Sequence, residues 1–268
     1  MSSETAVAVE TLIGEGTVLL SLHGHVGHIH LNAPQSANGL DNDTLPALHV
    51  ALMACHGERR IRAVLLTGEG KNFCAGGNVK TFLSKGDDLP YYIRQATAAL
   101  QEVISLMIHL DAPVICAVQG YATGGGGMGL VCASDLAIAG ESSAFMAGTT
   151  RVAMCPDAGL SVTLPRLIGA RKASEMLLTN NTVKAAEALD IGLINRVVPD
   201  AELFETAMAE AQNMAKNAPI ATATTKRLLW TGIGNSVDAA MPEEARSVAN
   251  LCHTDDVTEG LTAVIERR

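Results

Sequence analysis

The sequence predicts a mixed α/β core followed by a layer of helices. Two short apolar runs, residues 63–67 and Val114–Val118, each lead into a glycine-rich loop and then into a helix-like segment. From residue 200 to the end, the pattern is almost entirely that of amphipathic helices. Buried strands alternating with helices are typical of an α/β fold, so we place this core in residues 1–198 and a helical region in residues 199–268.

The chain begins with strands and a turn. Residues 17–22 and 25–31 are strand-like and are separated by His23 and Gly24, which predicts a hairpin or one bent strand. The Pro, Asn and Gly residues between positions 32 and 39 predict a turn before a helix over residues 44–56. Four of the eight histidines lie in this region, but no Cys, Asp or Glu nearby completes a set of metal ligands. We therefore favour ordinary strand histidines and expect no metal.

The middle of the chain predicts further helices and one strand. Residues 91–110 carry apolar side chains at helical spacing that we expect in the core: Ile93, Leu100, Ile104 and Met107. A short strand follows at residues 136–139, and residues 173–178 and 184–189 indicate helices, the second ending at Gly192. The only tryptophan, Trp230, lies in the helical region, where we expect it to pack rather than to react.

Composition restricts the classes of protein. With 268 residues, 48% of them hydrophobic, the chain can bury a substantial core. The net charge of −9 and the absence of a basic run argue against a nucleic-acid surface. Six cysteines without CxxC pairs indicate a reducing compartment. No signal peptide and no run of eighteen apolar residues is present, so we expect neither export nor a membrane span, and a cytoplasmic location.

Two glycine-rich loops are the candidate functional segments. Residues 68–79 follow the first apolar run, and residues 120–135, with four consecutive glycines, follow the second. Glycine lets the backbone approach a ligand closely, and a helix that begins in such a loop leaves several N–H groups unpaired. A tight turn that only needs small residues remains an alternative for either loop alone. Both loops together predict one anion-binding hole.

These segments resemble a known family. Residues 73–79 and 120–135 are similar to the two signature segments of the enoyl-CoA hydratase/isomerase family, the crotonase superfamily. The similarity continues through residues 156–159, 164–169 and 185–198, and it covers the chain from about Leu31 onward. The resemblance implies a crotonase-like spiral of ββα units whose carboxy-terminal helical layer serves oligomerisation, as a homotrimer or hexamer.

The resemblance also implies the binding groups. The main-chain amides of Gly77 and Gly126 would hold the oxyanion of a CoA thioester, the second at the positive end of a helix dipole. Coenzyme A would then be part of the substrate, and no separate cofactor is expected. The turn at Ser36 and Ala37 would contact CoA, and Lys226 its phosphates. The remaining substrate-binding positions are Ala75, Gly76, Asn78, Val79, Gly125 and Thr149.

The acid/base residues distinguish the reactions of the family. Members that add water carry two glutamates, and this sequence has Gly129 and Thr149 at those positions. One carboxylate remains at a suitable position, Asp157, although it could instead cap the following turn. A single carboxylate above an oxyanion hole is sufficient to move a double bond, because one base can remove a proton from C2 and return it at C4. We therefore expect an enoyl-CoA isomerase.

Three alternatives stay open. Asp157 alone could activate water, which gives a hydratase. Because both glutamate positions are empty, the protein could also be an acyl-CoA-binding subunit with little turnover. A dehalogenase would share Asp157, but the tryptophan and the histidine of that branch fall at Thr149 and near Gln101, so we rank it low.

Overall fold

Two β-sheets contain all the strands of the computed structural model, which describes residues 9–268. Their strands are, in chain order, β1 (Val9–Ile13), β2 (Val18–His23), β3 (Val26–Leu31), β4 (Ala63–Gly68), β5 (Val114–Val118), β6 (Tyr121–Thr123), β7 (Leu136–Gly140), β8 (Ala144–Met146), β9 (Val183–Lys184) and β10 (Arg196–Val198). The larger sheet has the order β1-β2-β3-β4-β5-β7-β10, and the smaller one has the order β6-β8-β9.

Strand pairing in the larger sheet changes once, from antiparallel to parallel at β3. Strands β1, β2 and β3 are antiparallel neighbours, whereas β3, β4, β5, β7 and β10 run parallel. In the β3–β4 ladder, Val26 pairs with Ala63 and Leu31 pairs with Gly68. The predicted hairpin is therefore confirmed as β2–β3, while β1 was not predicted. Because parallel strands end at the same edge of a sheet, the glycine-rich loops after β4 and β5 emerge side by side.

Helices cover both faces of the larger sheet. The α-helices of the described chain are α1 (Thr44–Gly57), α2 (Val79–Ser84), α3 (Leu89–His109), α4 (Gly124–Ala133), α5 (Leu160–Thr179), α6 (Ala185–Asp190), α7 (Leu203–Met214), α8 (Pro219–Gly232), α9 (Val237–Leu251) and α10 (Asp255–Glu266). Helices α1, α3 and α4 belong to the main hydrophobic core, and α7 packs on the opposite face. The mixed α/β prediction is thus confirmed.

Strand β4 shows why its sequence is uniformly apolar. Val64 and Leu66 point into the main core, whereas Ala63 and Leu65 point into the second cluster, beneath α7. All six residues of the strand are buried. A parallel strand that is covered on both faces has no polar side to alternate with, so it appears in the sequence as a continuous apolar run.

The carboxy-terminal helices differ in how they meet the core. Helix α7 fills the second cluster with its buried side chains, so it is packed as part of the core. Helix α8 is fixed by Lys226, whose ammonium lies 2.9 Å from Asp135 Oδ2, and by Trp230, whose Nε1 donates to Asp135 Oδ1 at 3.0 Å. No described helix is both long and apolar enough to cross a bilayer.

The strand histidines hydrogen-bond to protein groups. His28 Nε2 and His30 Nδ1 both lie within hydrogen-bond distance of the Thr67 hydroxyl, at 2.8 and 2.6 Å, and His30 Nε2 contacts Glu69 at 2.8 Å. Within residues 9–268, no three His, Cys, Asp or Glu side chains are close enough together to hold a metal. Burial, with His30 and His23 nearby, lowers the pKa of His28 to about 4, so this imidazole is neutral at physiological pH.

Candidate active site

The two glycine-rich loops lie against each other at one edge of the sheet. Cys74 and Ala122 form an isolated β-bridge, and the Thr123 N–H donates to the Cys74 carbonyl at 2.9 Å. The Thr123 hydroxyl donates to the Ala75 carbonyl at 3.0 Å. A Cβ on Gly76 would lie 3.0 Å from the Cα of Gly124, so glycine is needed for this approach. The loops thus form one unit, as the sequence predicts.

A cavity of about 290 Å³ opens at this junction. Seven of the twelve predicted site residues line it: Ala75, Gly77, Val79, Gly125, Gly126, Thr149 and Asp157. Much of the remaining wall is apolar, with Leu40, Leu45 and Phe82 on one side and Met146 and Met154 on another. An apolar cavity with a few polar groups is the usual form of a small-molecule site.

Gly77 and Gly126, whose main-chain N–H groups the family resemblance assigns to an oxyanion, both line the cavity. Gly126 lies in the first turn of α4, where N–H groups have no intrahelical acceptor and the helix dipole is positive. The bridge between Leu40 and Gly77 uses the Gly76 carbonyl, at 2.7 Å from the Leu40 nitrogen, and leaves the Gly77 N–H outside that hydrogen bond. The ring of Phe82 lies over the Cα of Gly77 and fixes this loop.

Asp157 places a carboxyl group in the wall of the same cavity, against Gly125. Its Oδ1 is buried and has no hydrogen-bond partner in the described structure. Burial raises the pKa of Asp157 above its ordinary value, and the hydrogen bond from its own backbone N–H only partly opposes this shift. A carboxyl with a raised pKa can hold and release a proton nearer neutrality than an exposed aspartate.

Two glycines on one face of α4 allow the turn that carries Asp157 to pack closely against this helix. A Cβ on Gly125 would lie 2.6 Å from Cγ of Asp157, and a Cβ on Gly129 would overlap the Cβ of Ala158. Residues four apart share a helix face, so Gly125 and Gly129 together let the turn approach the helix. Gly129 is also the first of the two glutamate-replacing positions. The missing side chain at Gly129 thus allows the turn to pack close to α4, and this turn carries the Asp157 carboxyl.

Five predicted site residues do not line this cavity. Three of them hold the loops: Ala37 accepts from the Ala75 N–H at 2.9 Å, the Gly76 carbonyl accepts from Leu40, and Asn78 caps α2 through Thr81 N at 3.2 Å. Ser36 donates to its own turn, to Ala33 O at 3.0 Å.

Lys226 is the fifth, and the structure does not bring it to the cavity. Besides Asp135, its ammonium contacts the carbonyls of Met107 at 2.7 Å and Ala112 at 3.2 Å, and the residue is only 5% exposed. The three ammonium hydrogens are therefore taken up by acceptors inside the protein. This geometry gives Lys226 a structural role in place of the expected contact with phosphate.

Other lining residues were not predicted as part of a site. Helix α3 contributes Ile93 and Leu100, which the sequence analysis placed in the core, because helical periodicity does not distinguish a core face from a cavity wall. Arg151 supplies a cationic side chain at the cavity, and Cys155 an exposed thiol. The glycine-loop motifs gave no signal for either residue.

The fold and the cavity together define an α/β protein with a largely apolar cavity that is lined by two glycine-rich loops and by one half-buried carboxyl. Comparison with known proteins agrees with this class. The family model for enoyl-CoA hydratase/isomerase matches residues 22–268, and the chain belongs to that family.

Individual relatives extend over nearly the whole chain. The short-chain-enoyl-CoA hydratase of Clostridium acetobutylicum is 31% identical, over 94% of this chain and 95% of that protein. Among solved structures, an enoyl-CoA hydratase from Bacillus anthracis is 34% identical, with a TM-score of 0.87, and the match covers 98% of this chain and 97% of that one. An enoyl-CoA hydratase from Polaromonas sp. JS666 is 29% identical, with a TM-score of 0.90, and covers 94% of this chain and 98% of its own. The crotonase fold is thereby confirmed.

Proposed function

We propose that this protein moves the double bond of an enoyl-CoA thioester through an enolate intermediate. The observation that carries the proposal is the position of Asp157, the only carboxylate lining the cavity in the described chain, next to the two glycine-rich loops. Its desolvation gives it the raised pKa that a proton shuttle needs. The two loops offer the N–H groups of Gly77 and Gly126 for the thioester oxygen.

The proposed steps use Asp157 as the proton carrier and the two N–H groups as the oxyanion donors. Asp157 removes a proton from C4 of a 2-enoyl thioester, and the electrons move to the thioester oxygen. The N–H groups of Gly77 and Gly126 bind the resulting negative charge, and loss of one such donor typically costs about 3–4 kcal/mol in the barrier. Asp157 then returns the proton to C2, which leaves a 3-enoyl thioester. The reverse direction uses the same groups.

Hydration by Asp157 alone is the second candidate. The observation in its favour is that the Clostridium and Bacillus anthracis relatives are named hydratases. Against it, addition of water is helped by two groups, one that activates water and one that protonates C2. Gly129 leaves no room for a side chain, and Thr149 offers a hydroxyl with no hydrogen-bond partner instead of a carboxylate.

The chain also carries a surface suited to self-association, and we propose that it forms a homotrimer or a hexamer. Large apolar side chains on α8, α9 and α10 remain exposed, among them Leu229, Val237, Val248, Leu261 and Ile265. Apolar patches of this kind mark interaction surfaces. Light scattering coupled to size-exclusion chromatography tests this proposal, and a monomer at micromolar concentration would contradict it.

The variant Asp157→Asn tests the proposed chemistry. Asparagine keeps the shape of the side chain but cannot accept a proton, so kcat should fall by roughly 100-fold or more. The affinity for an acyl-CoA should change little, because the N–H groups are main-chain groups. Unchanged turnover in this variant would contradict the role of Asp157 and favour a protein that binds acyl-CoA without acting on it.

A further inference from the structure

The candidate cavity contains a thiol close in sequence to its carboxyl. Cys155 is exposed, lines the cavity, and lies two residues before Asp157. Four other cysteines are buried, and burial raises the pKa of each of their thiols to about 12, which makes them poor nucleophiles. They are Cys55, Cys74, Cys116 and Cys132. The sixth, Cys252, is exposed but does not line this cavity.

A second observation concerns two oxygen atoms in the cavity wall that are free to hydrogen-bond to a ligand. Thr149 also lines it, is only 8% exposed, and has an Oγ1 without a hydrogen-bond partner. Buried hydroxyls are normally paired, so an unpaired one in a cavity wall indicates a missing partner. Asp157 Oδ1 is unpaired in the same way. Cys155 is therefore not an isolated surface thiol, because it shares a cavity with two unsatisfied oxygens.

The proposed substrate is itself an electrophile. In a 2-enoyl thioester the C2=C3 bond is conjugated with the carbonyl, so C3 accepts nucleophiles. Hydrogen bonds from Gly77 and Gly126 to the thioester oxygen would increase this electrophilicity, because they stabilise the enolate that forms on addition. Thiolates are intrinsically strong nucleophiles toward such centres. One cavity of about 290 Å³ would then hold both reaction partners.

We propose that Cys155 adds covalently to C3 of 2-enoyl-CoA thioesters bound in this cavity. The Cys155 Sγ forms a bond to C3, and the C2=C3 electrons move to the thioester oxygen as an enolate. C2 then takes a proton from the Asp157 carboxyl, which recovers one from the thiol through solvent. The net reaction adds S–H across the double bond, with no oxidant, reductant or leaving group. This inference rests on the proposed function, since it requires the thioester to occupy the same oxyanion hole.

The adduct limits the enzyme. A thioether at C3 leaves the CoA thioester intact but tethers it in the cavity, so the same molecule blocks further turnover. Saturated acyl-CoA thioesters have no electrophilic C3 and cannot react in this way. The site therefore makes 2-enoyl thioesters both substrates and covalent inhibitors, and 3-enoyl thioesters become inhibitors only after isomerisation.

Mass spectrometry of the intact protein tests the proposal with crotonyl-CoA as the probe. The wild-type chain should gain the mass of one whole thioester, and peptide mapping should place it on Cys155. Modification of Cys155 should be at least about tenfold faster than that of Cys252, because the bound thioester is held beside the thiol. Butyryl-CoA should give no adduct, and neither should crotonyl-CoA with the variant Cys155→Ser. Iodoacetamide should label both exposed cysteines, which controls for access.

The outcomes separate this inference from the proposed function when turnover is measured in the same samples. Turnover without an adduct on Cys155 would overturn the inference and leave isomerisation standing. Equal rates at Cys155 and Cys252, or no labelling of Cys155 by iodoacetamide, would likewise overturn it. An adduct on Cys155 of the wild type would support the inference, and isomerisation is then tested in Cys155→Ser, which cannot be blocked by an adduct: no double-bond migration in that variant would contradict isomerisation alone.

Discussion

The contact between Gly125 and Asp157 gives a quantitative prediction for the variant Gly125→Ala. A Cβ on Gly125 would lie 2.6 Å from Cγ of Asp157, whereas unstrained carbon atoms are separated by about 3.5–4.0 Å. Asp157 Oδ1 lies nearer still and would overlap this Cβ, so the carboxyl must move by at least about 1 Å. A displacement of this size at a reacting group costs on the order of 100-fold in rate, or about 2.7 kcal/mol in the activation barrier.

Alanine should fit the backbone at this position. Gly125 lies in α4 and is not among the glycines with positive φ, so the helix itself is not strained by a side chain. We therefore expect a folded variant whose kcat falls by about 100-fold while acyl-CoA affinity, measured by calorimetry, stays within a few fold. Gly260→Ala is the matched control, because a Cβ there meets no atom within 4 Å and the residue lies outside the cavity. A kcat for Gly125→Ala equal to that of the control would refute the argument.

Three further predictions concern stability. Because the pKa of Asp157 is raised in the folded protein, ionisation of Asp157 at neutral pH lowers the free energy of unfolding. Asp157→Asn should therefore be more stable than the wild type at pH 7, and this difference should vanish below the ordinary pKa of aspartate. Urea denaturation at pH 7 and at a pH below that value measures the difference. Lys226→Met leaves the Asp135 carboxylate without its cation, so we expect the free energy of unfolding to fall by about 3 kcal/mol while the affinity for acyl-CoA stays unchanged. Weaker binding of CoA thioesters by this variant would contradict the structural role of Lys226 and favour a contact with phosphate. Because the pKa of His28 is lowered to about 4 in the folded protein, the free energy of unfolding should be highest above pH 6.5 and should fall by at most about 3 kcal/mol as the pH approaches 4. In His28→Gln, the free energy of unfolding should depend less on pH over this range. An identical pH dependence in the wild type and the variant would contradict the lowered pKa.

The sequence indicated the two loops and Asp157 through local chemistry, and the structure brings all three to one cavity. Glycine runs after apolar strands indicate close backbone approach, and an aspartate among apolar neighbours indicates desolvation. The strand order then brings the two loops together, because β4 and β5 are parallel neighbours whose loops leave the sheet at the same edge. The oxyanion roles expected of Gly77 and Gly126 come from the family resemblance alone and stay a prediction.

The errors at the level of single residues have physical reasons. The family resemblance assigned Lys226 to phosphate binding, but the acceptors around its ammonium lie 91 to 119 positions away in the chain, so its neighbours in sequence could not reveal this environment. Strand β1 was missed because its side chains are mostly exposed and give no apolar alternation. The cavity-facing role of α3 depends on where the glycine loops meet it, and only the assembled fold decides this. The division of the chain at residue 199 stays a prediction, although α7 packs on the core.

The packing of α4 couples position 129 to the position of Asp157. Gly129 admits the Ala158 turn, and the same approach brings Asp157 over Gly125. A glutamate at position 129 would push that turn away, so the carboxyl of the hydration chemistry and the carboxyl at Asp157 compete for the same space. We therefore expect acquisition of one to weaken the other.

The most direct test of the proposed reaction is product analysis in deuterated water. The protein is incubated with a small panel of 2-enoyl- and 3-enoyl-CoA thioesters, and the products are analysed by mass spectrometry and by the position of the double bond. Isomerisation through Asp157 predicts migration of the double bond with incorporation of deuterium and without the mass of added water. A product that carries the mass of one water and no migrated double bond would contradict the proposal and establish hydration instead.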